Sequence, residues 1–357
     1  MKQFGVGIIG CGGISGVHVT ALREIPRARL VAGAEVSEER RRTFAEANKV
    51  PCVADYNELL RRPDVDVVCI ATPSGLHMEP AVAAARAGKH IICEKPVDVT
   101  LDRVDAILRE VAVRNVRLCA IFPMRFDPAA CLIKKAADEG RFGRLALGDC
   151  YNKWWRSEAY FEKARWRGTW KLDGGGACMN QGIHAIDLIQ WFMGPVESVS
   201  AATDRLVHHS IETEDTASAV LRYRSGAMGV IQCTTSVFPG ADRRIEVLGD
   251  KGMAVLEGES LAKWHFADAR PEDDEIRQRY SPTGIAQRNA NDPLAFSHGR
   301  HREQIAEFLE ALDAGREPRV GGPEGRKAIE IILAIYESAR TGKTVRLPLA
   351  SVETQPS

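Results

Sequence analysis

The chain has 357 residues, 45% hydrophobic and 27% charged, which is ordinary for a globular protein and long enough for two domains. Its 48 basic and 48 acidic residues cancel, so the overall charge points neither to a nucleic-acid footprint nor to an acidic membrane surface. No apolar run approaches the roughly 20 residues that span a bilayer.

The N-terminus passes at once into an apolar strand candidate, residues 4–9, leaving no room for a signal peptide. That strand meets Gly10-Cys11-Gly12-Gly13-Ile14-Ser15. Strand, glycine turn and helix start make an anion site: Gly10 permits the turn, Gly12 and Gly13 let a pyrophosphate approach, and the helix N–H groups face it. Ser15 stands where a third glycine or alanine is usual. Glu35 follows the next apolar run, 25 positions after Gly10 (35 − 10), where a carboxylate holds the two ribose hydroxyls and favours NAD over NADP.

Short β-rich runs (7–9, 30–36, 65–71, 90–93, 116–121) alternate with helix-like stretches (15–24, 38–48, 79–87, 101–114). This predicts a doubly wound parallel sheet whose ligand lies at the strand C-terminal ends. The loops leaving those ends are 10–15, Thr72-Pro73-Ser74, Glu94-Lys95-Pro96 and 122–125, the last carrying Arg125. The pattern changes near residue 123, so residues 1–122 are expected to bind NAD and residues 123–357 to bind substrate and oligomerise. A helix over 128–139 is followed by strands at 217–224, 226–233, 244–248 and 252–256, an antiparallel sheet with one open face that suits a homodimer or homotetramer. Helices over 301–314 and 324–341 close the chain, and residues 271–293 read as a polar surface loop.

Lys95, at a strand end, suits a group that binds a substrate hydroxyl and stabilises a developing alkoxide. Asn180, His184 and Asp187 fall on one face of a helix-like stretch after Gly174-Gly175-Gly176, a polar stripe that calls for partners or a task. Four of the six tryptophans lie between residues 154 and 170. Together Trp155, Arg156, Tyr160, Trp166 and Arg167 read either as a core corner or as a wall for a sugar ring, with the arginines suiting a carboxylate or a phosphate. Nine cysteines, among them Cys69, Cys93, Cys119 and Cys233 in apolar runs, show no zinc-ligand spacing and read as reduced thiols of a cytoplasmic protein with no metal. Cys11, in the phosphate turn, is the one expected to be reachable.

These pieces together resemble the glucose-fructose oxidoreductase / inositol dehydrogenase / rhizopine-catabolism (Gfo/Idh/MocA) family. The marks are Gly10 to Ile14, Ala71-Thr72-Pro73-Ser74-Gly75-Leu76-His77, Glu94-Lys95-Pro96, and Gly174 through Gly182-Ile183-His184-Ala185-Ile186-Asp187. The resemblance implies an N-terminal Rossmann domain, a C-terminal α/β domain with a large, open, mostly antiparallel sheet, and hydride transfer between NAD and a secondary alcohol of a sugar or polyol. Gly10, Gly12, Gly13, Ile14, Glu35, Thr72, Pro73, His77, Glu94, Lys95 and Arg125 would then bind cofactor. Lys95 and His184 look like the family's catalytic lysine and histidine, with Asn180 orienting substrate or His184. Asp187 would line the substrate or hold the far nitrogen of His184. Much of the family has Asp at position 180; an amide cannot take a proton, so a carboxylate relay through it is in doubt. The Asn-Gln-Gly-Ile-His subset points to pyranosides or nucleotide-linked sugars. Two rivals share the fold: an NAD-retaining glycosidase and a sugar or cofactor sensor.

Overall fold

The computed structural model describes residues 2–282 and 298–349, which divide into two compact units. Residues 2–123 with 298–326 form the first, and residues 124–282 with 327–349 the second.

The first unit holds six strands, β1 (Phe4–Ile9), β2 (Ala28–Ala34), β3 (Cys52–Val53), β4 (Val67–Ile70), β5 (His90–Cys93) and β6 (Leu118–Ala120), in the order β3-β2-β1-β4-β5-β6. Every neighbouring pair is parallel. β1 and β4 are buried along their whole length, as a sheet covered on both faces requires. Strand order reverses between β1 and β4, which opens a crevice at their C-terminal ends. The helices Gly13–Arg23, Glu38–Asn48, Met78–Arg86 and Leu101–Val113 lie where the sequence pattern places them. Ser37 and Thr100 start two of them as side-chain caps. The sequence reading kept residues 123–357 together; instead, the helix Gly299–Asp313 buries Ile305, Phe308 and Leu309 in one cluster with Phe4, Val6, Ile8 and Leu22. Its apolar stripe finds a covering partner in the helix Gly13–Arg23.

The second unit contains β7 (Leu145–Lys153), β8 (Val196–Asp204), β9 (Thr216–Tyr223), β10 (Met228–Thr234), β11 (Arg244–Gly249), β12 (Gly252–Glu257), β13 (Ser260–Phe266) and β14 (Val345–Arg346). Their order is β13-β12-β11-β7-β10-β9-β8-β14, with β7 and β10 parallel and the other neighbours antiparallel. Cys150, Leu221, Ile231, Ile245 and Val247 are buried on one face, and the helix Ile183–Met193 packs against β7 and β11. The opposite face exposes Leu147, Val220 and Met228. Residues 272–280, expected as loop, form the helix Glu272–Tyr280, because Asp273 is buried and bonded by Arg141 and by Trp264 Nε1. The remainder of that expected loop, 283–293, lies outside the described residues. No described helix is long and apolar enough to cross a membrane, and no group of metal-ligating side chains occurs among the described residues.

Candidate active site

The site residues fall in both units. In the first, β1 ends in Gly10, whose φ of +89° is one that side-chain-bearing residues rarely adopt. A Cβ there would also stand 2.8 Å from the Ala71 carbonyl and the Thr72 nitrogen. A Cβ at Gly12 or Gly13 would meet nothing within 4 Å, so the turn is open beside them. The helix Gly13–Arg23 starts without a side-chain cap and has no acidic residue in its first turn, which leaves its terminal N–H groups and dipole for an anion. The Ser15 hydroxyl donates to the Gly12 carbonyl at 2.6 Å, so the residue at the third fingerprint position folds back onto the turn.

Glu35 is tied to the same turn. Its Oε2 accepts from the Cys11 N–H at 2.9 Å and its Oε1 from the Ser37 N–H at 2.9 Å. Cys11 is half-buried with its Sγ 3.8 Å from Cys52 Sγ. Burial, then Cys52 and Glu35, push the Cys11 thiol far above its usual range, so it is not a reactive thiolate.

His77 joins two further loops: Nδ1 lies 2.9 Å from the Pro96 carbonyl oxygen and Nε2 3.0 Å from that of Thr72. Glu94 accepts the Lys95 N–H at 3.1 Å through Oε2, and its Oε1 lies 2.7 Å from His18 Nε2. His18 escaped the sequence reading; the available signal was a histidine on the apolar face of the helix that follows the glycine turn.

In the second unit, Asn180 and His184 are both half-buried. The expected continuous helix is corrected here. Residues Ala177–Gly182 form a π-helical turn, and the α-helix starts at Ile183. Asn180 therefore does not share the α-helical phase of His184 and Asp187; such turns recur at functional sites. The turn has a local cause. Buried Glu214 accepts the N–H groups of Gly176 and Cys178 at 2.8 Å each and the Tyr336 hydroxyl at 2.9 Å. Burial raises its carboxyl to about 7 against the pull of those bonds. A side chain at Gly176 would collide with the Glu214 carbonyl.

Asp187 and Arg125, read separately from the sequence, form one buried bidentate pair, Nε to Oδ2 at 2.8 Å and Nη2 to Oδ1 at 2.7 Å. Both Asp187 oxygens thus accept from Arg125. Arg125 also lies 5.3 Å from the Trp191 ring centroid. Asp173, beside the glycines, accepts from Asn180 Nδ2 at 2.6 Å.

The aromatic cluster divides. Trp154 is core and Trp170 packs at its exposed edge on Tyr336. Between them, the guanidinium groups of Arg167 and Arg156 lie 4.2 and 5.6 Å from the Tyr160 ring centroid. Trp155, Tyr160, Trp166 and Arg167 are half-buried, while Arg156 is buried. Gln181 Nε2 donates to the Tyr160 hydroxyl at 3.3 Å, linking this cluster to the π-helical turn.

Comparison with known proteins bears on both units. Residues 4–122 match the model of an oxidoreductase family with an NAD-binding Rossmann fold, and residues 132–255 that of the GFO/IDH/MocA C-terminal domain. The chain is 30% identical to myo-inositol 2-dehydrogenase of Thermotoga maritima, across 96% of this chain and 98% of that one. It is 28% identical to levoglucosan dehydrogenase of Pseudarthrobacter phenanthrenivorans, across 98% and 100%. Among solved structures it resembles the WlbA dehydrogenase of Bordetella pertussis in complex with NADH and UDP-GlcNAcA, at 33% identity and a TM-score of 0.87, covering 98% of this chain and 100% of that one.

Proposed function

The chain belongs to the Gfo/Idh/MocA family of NAD-dependent oxidoreductases that act on sugar alcohols, and we propose that its substrate is a pyranoside carrying an acidic group. The single observation behind the substrate class is the Tyr160 ring with the guanidinium groups of Arg156 and Arg167 around it. An aromatic ring suits the apolar face of a pyranose, and two guanidinium groups suit a carboxylate or phosphate. The UDP-GlcNAcA of the WlbA complex has that chemistry, whereas the levoglucosan and inositol named for other relatives are neutral.

The residues present fit NAD: the open glycine turn, the uncapped helix start and the Glu35 carboxylate suit its pyrophosphate and adenine ribose. Bound NAD supplies the acceptor for the hydride. Lys95 holds the reacting hydroxyl oxygen and stabilises negative charge on it; His184 takes the hydroxyl proton as general base. Asn180 orients the sugar. Thr72, Pro73, His77 and Glu94 shape the cofactor side, and Trp155 and Trp166 the sugar side. We also assign self-association to the outer sheet face, and the reducing cytoplasm as the compartment, supported by nine cysteines with no disulfide among the described residues.

The test is NADH formation with UDP-GlcNAcA, levoglucosan and myo-inositol, together with Trp166→Ala and Arg167→Ala. The highest kcat/KM belongs to the acidic sugar, and both substitutions raise its KM with little change in NAD affinity. A preference for myo-inositol overturns the substrate class. Cleaved glycoside without net NADH replaces the dehydrogenase reading with a glycosidase that retains NAD.

A further inference from the structure

One distant residue caps the π-helical turn. The Glu214 side chain takes the N–H groups of Gly176 and Cys178 at 2.8 Å each, and its own carbonyl takes that of Ala177 at 3.0 Å. The start of a helical turn leaves such N–H groups without partners inside it, and here three in succession end on Glu214. Tyr336, on the helix Gly322–Thr341, donates its hydroxyl to Glu214 Oε1 at 2.9 Å. The glycine run makes room for both. A Cβ at Gly175 would collide with the Tyr336 hydroxyl, and one at Gly176 with the Glu214 carbonyl. The turn passes the constraint on directly: the Asn180 N–H donates to the Gly176 carbonyl at 2.9 Å, and the helix of His184 starts at Ile183.

We propose that Glu214 is a positioning residue: its carboxylate, held by Tyr336, fixes the π-helical turn and so places Asn180 and His184 against the sugar. This rests on the proposed roles of Asn180 and His184.

The charged form of Glu214 opposes stability. The residue is 3% exposed, and burial raises its pKa from 4.5 to about 7. Its contribution to stability is full below pH 4.5 and falls as pH rises through about 7. Ionisation weakens the fold but strengthens the bonds that shape the turn, because hydrogen bonds to a charged acceptor are the stronger ones. Proton uptake turns one carboxylate oxygen into a hydroxyl, which loosens its hold on the N–H it faced. The titratable groups facing Glu214 are Tyr336 and Cys178. Burial pushes Tyr336 well above its usual value, and contact with Cys233, then burial, does the same to Cys178, so both keep their protons at working pH. Cys233 on β10 lies beyond Cys178, and Asp173 acts on Tyr336.

Stability and sugar binding therefore move in opposite directions with pH. Glu214→Gln is neutral at every pH. Its amide has one oxygen, so it keeps one of the two N–H groups and turns its NH2 on the other.

The experiment compares wild type and Glu214→Gln at about pH 5.5 and about pH 8.5, on either side of the Glu214 value. Sugar affinity is measured by calorimetry on the NADH-loaded protein, with the panel sugar that wild type turns over fastest, and stability by thermal unfolding. At the higher pH the variant binds sugar about tenfold or more weakly than wild type, the size of one charge-assisted hydrogen bond. At the lower pH the two affinities converge, and NADH affinity is unchanged throughout. From the lower to the higher pH the variant gains on wild type in thermal stability. A purely structural Glu214 predicts that the deficits in affinity and stability grow and shrink together; that result overturns the proposal.

A second readout needs no sugar. At the higher pH, the amide proton of Gly176 or of Cys178 exchanges about tenfold or more faster in Glu214→Gln than in wild type, and at the lower pH the rates approach each other. Equal rates at both pH values overturn the brace. Tyr336→Phe removes a bond that lowers the Glu214 pKa, so the pH at which protection changes moves upward. An unmoved midpoint overturns the part assigned to Tyr336. If no panel sugar binds, the substrate reading has failed, and the brace stands or falls on the exchange rates alone.

Discussion

Glu94 Oε1 lies 2.7 Å from His18 Nε2, joining the helix that starts at the glycine turn to the end of the strand that carries Lys95. Burial opposes charge on His18, but Cys69 and Glu94 outweigh it and raise its pKa from 6.5 to about 10. Burial likewise opposes charge on Glu94, and the bond from His18, with His301 and Lys95 nearby, lowers its pKa from 4.5 to about 2. His301, 4.0 Å from Glu94, is held low by its own burial, at about 4, and stays neutral at working pH.

A stability profile follows from these signs. The raised His18 contributes fully below pH 6.5 and loses its contribution as pH rises toward about 10; the depressed Glu94 contributes fully above pH 4.5 and loses it as pH falls toward about 2. The pair therefore stabilises most between pH 4.5 and 6.5. Glu94→Gln costs about 3 kcal/mol there, the low end for breaking a buried pair because the amide still accepts a bond. Thermal unfolding from pH 4 to 9 should show the variant's deficit shrinking toward both extremes. A deficit independent of pH would contradict the charge assignment.

The Arg125–Asp187 pair predicts a second stability contrast. Asp187→Ala removes the carboxylate that takes two bonds from the buried Arg125 guanidinium and costs about 3–5 kcal/mol, whereas Arg125→Met/Asp187→Leu removes both charges and costs much less. Urea unfolding of the three proteins measures this. Equal losses in the single and double variants would show that the pair is not coupled.

Lys95→Ala and His184→Ala should each lower kcat about a hundredfold or more while the fold survives. His184→Ala should leave NAD affinity nearer wild type than Lys95→Ala does. Turnover near wild type in His184→Ala would remove the histidine from the base role.

Glu35 predicts a preference for NAD over NADP, because its carboxylate would accept from the ribose hydroxyls and repel a 2′-phosphate. Since the same carboxylate also holds the N–H groups of Cys11 and Ser37, Glu35→Ala should weaken NAD binding about tenfold or more as well as narrow the discrimination. Catalytic efficiency with each cofactor decides it; a wild-type preference for NADP would refute the reading.

The outer sheet face predicts an interface. Arg222, Met228, Leu147, Leu248 and Met253 stand in register on five adjacent strands, an apolar row with a charged end. Wild type should scatter light as an oligomer, and Met228→Glu with Leu147→Glu should reduce it to monomers. A wild-type monomer would leave this row without its assigned role.

Short-range features were legible in the chain itself. A glycine turn between a strand and a helix, apolar runs alternating with helical periodicity, and the Glu35 and Lys95 positions at strand ends depend on neighbours within a few residues, and the first unit follows them closely. β7, β8 and β13 went unread because their half-buried sequences mix polar and apolar residues without clean alternation. Partners far apart in sequence had no local signature at all. His18 meets Glu94 76 positions away, Arg125 meets Asp187 62 positions away, and Glu214 braces Gly176 38 positions away. Composition and spacing by themselves determined the sheet class and the dinucleotide turn, and only nominated the candidate catalytic residues. Only the tertiary structure decided which buried charge faces which partner, and with it the π-helical turn at Asn180, because a charge removed from water must be matched by whatever group the folded chain brings to it.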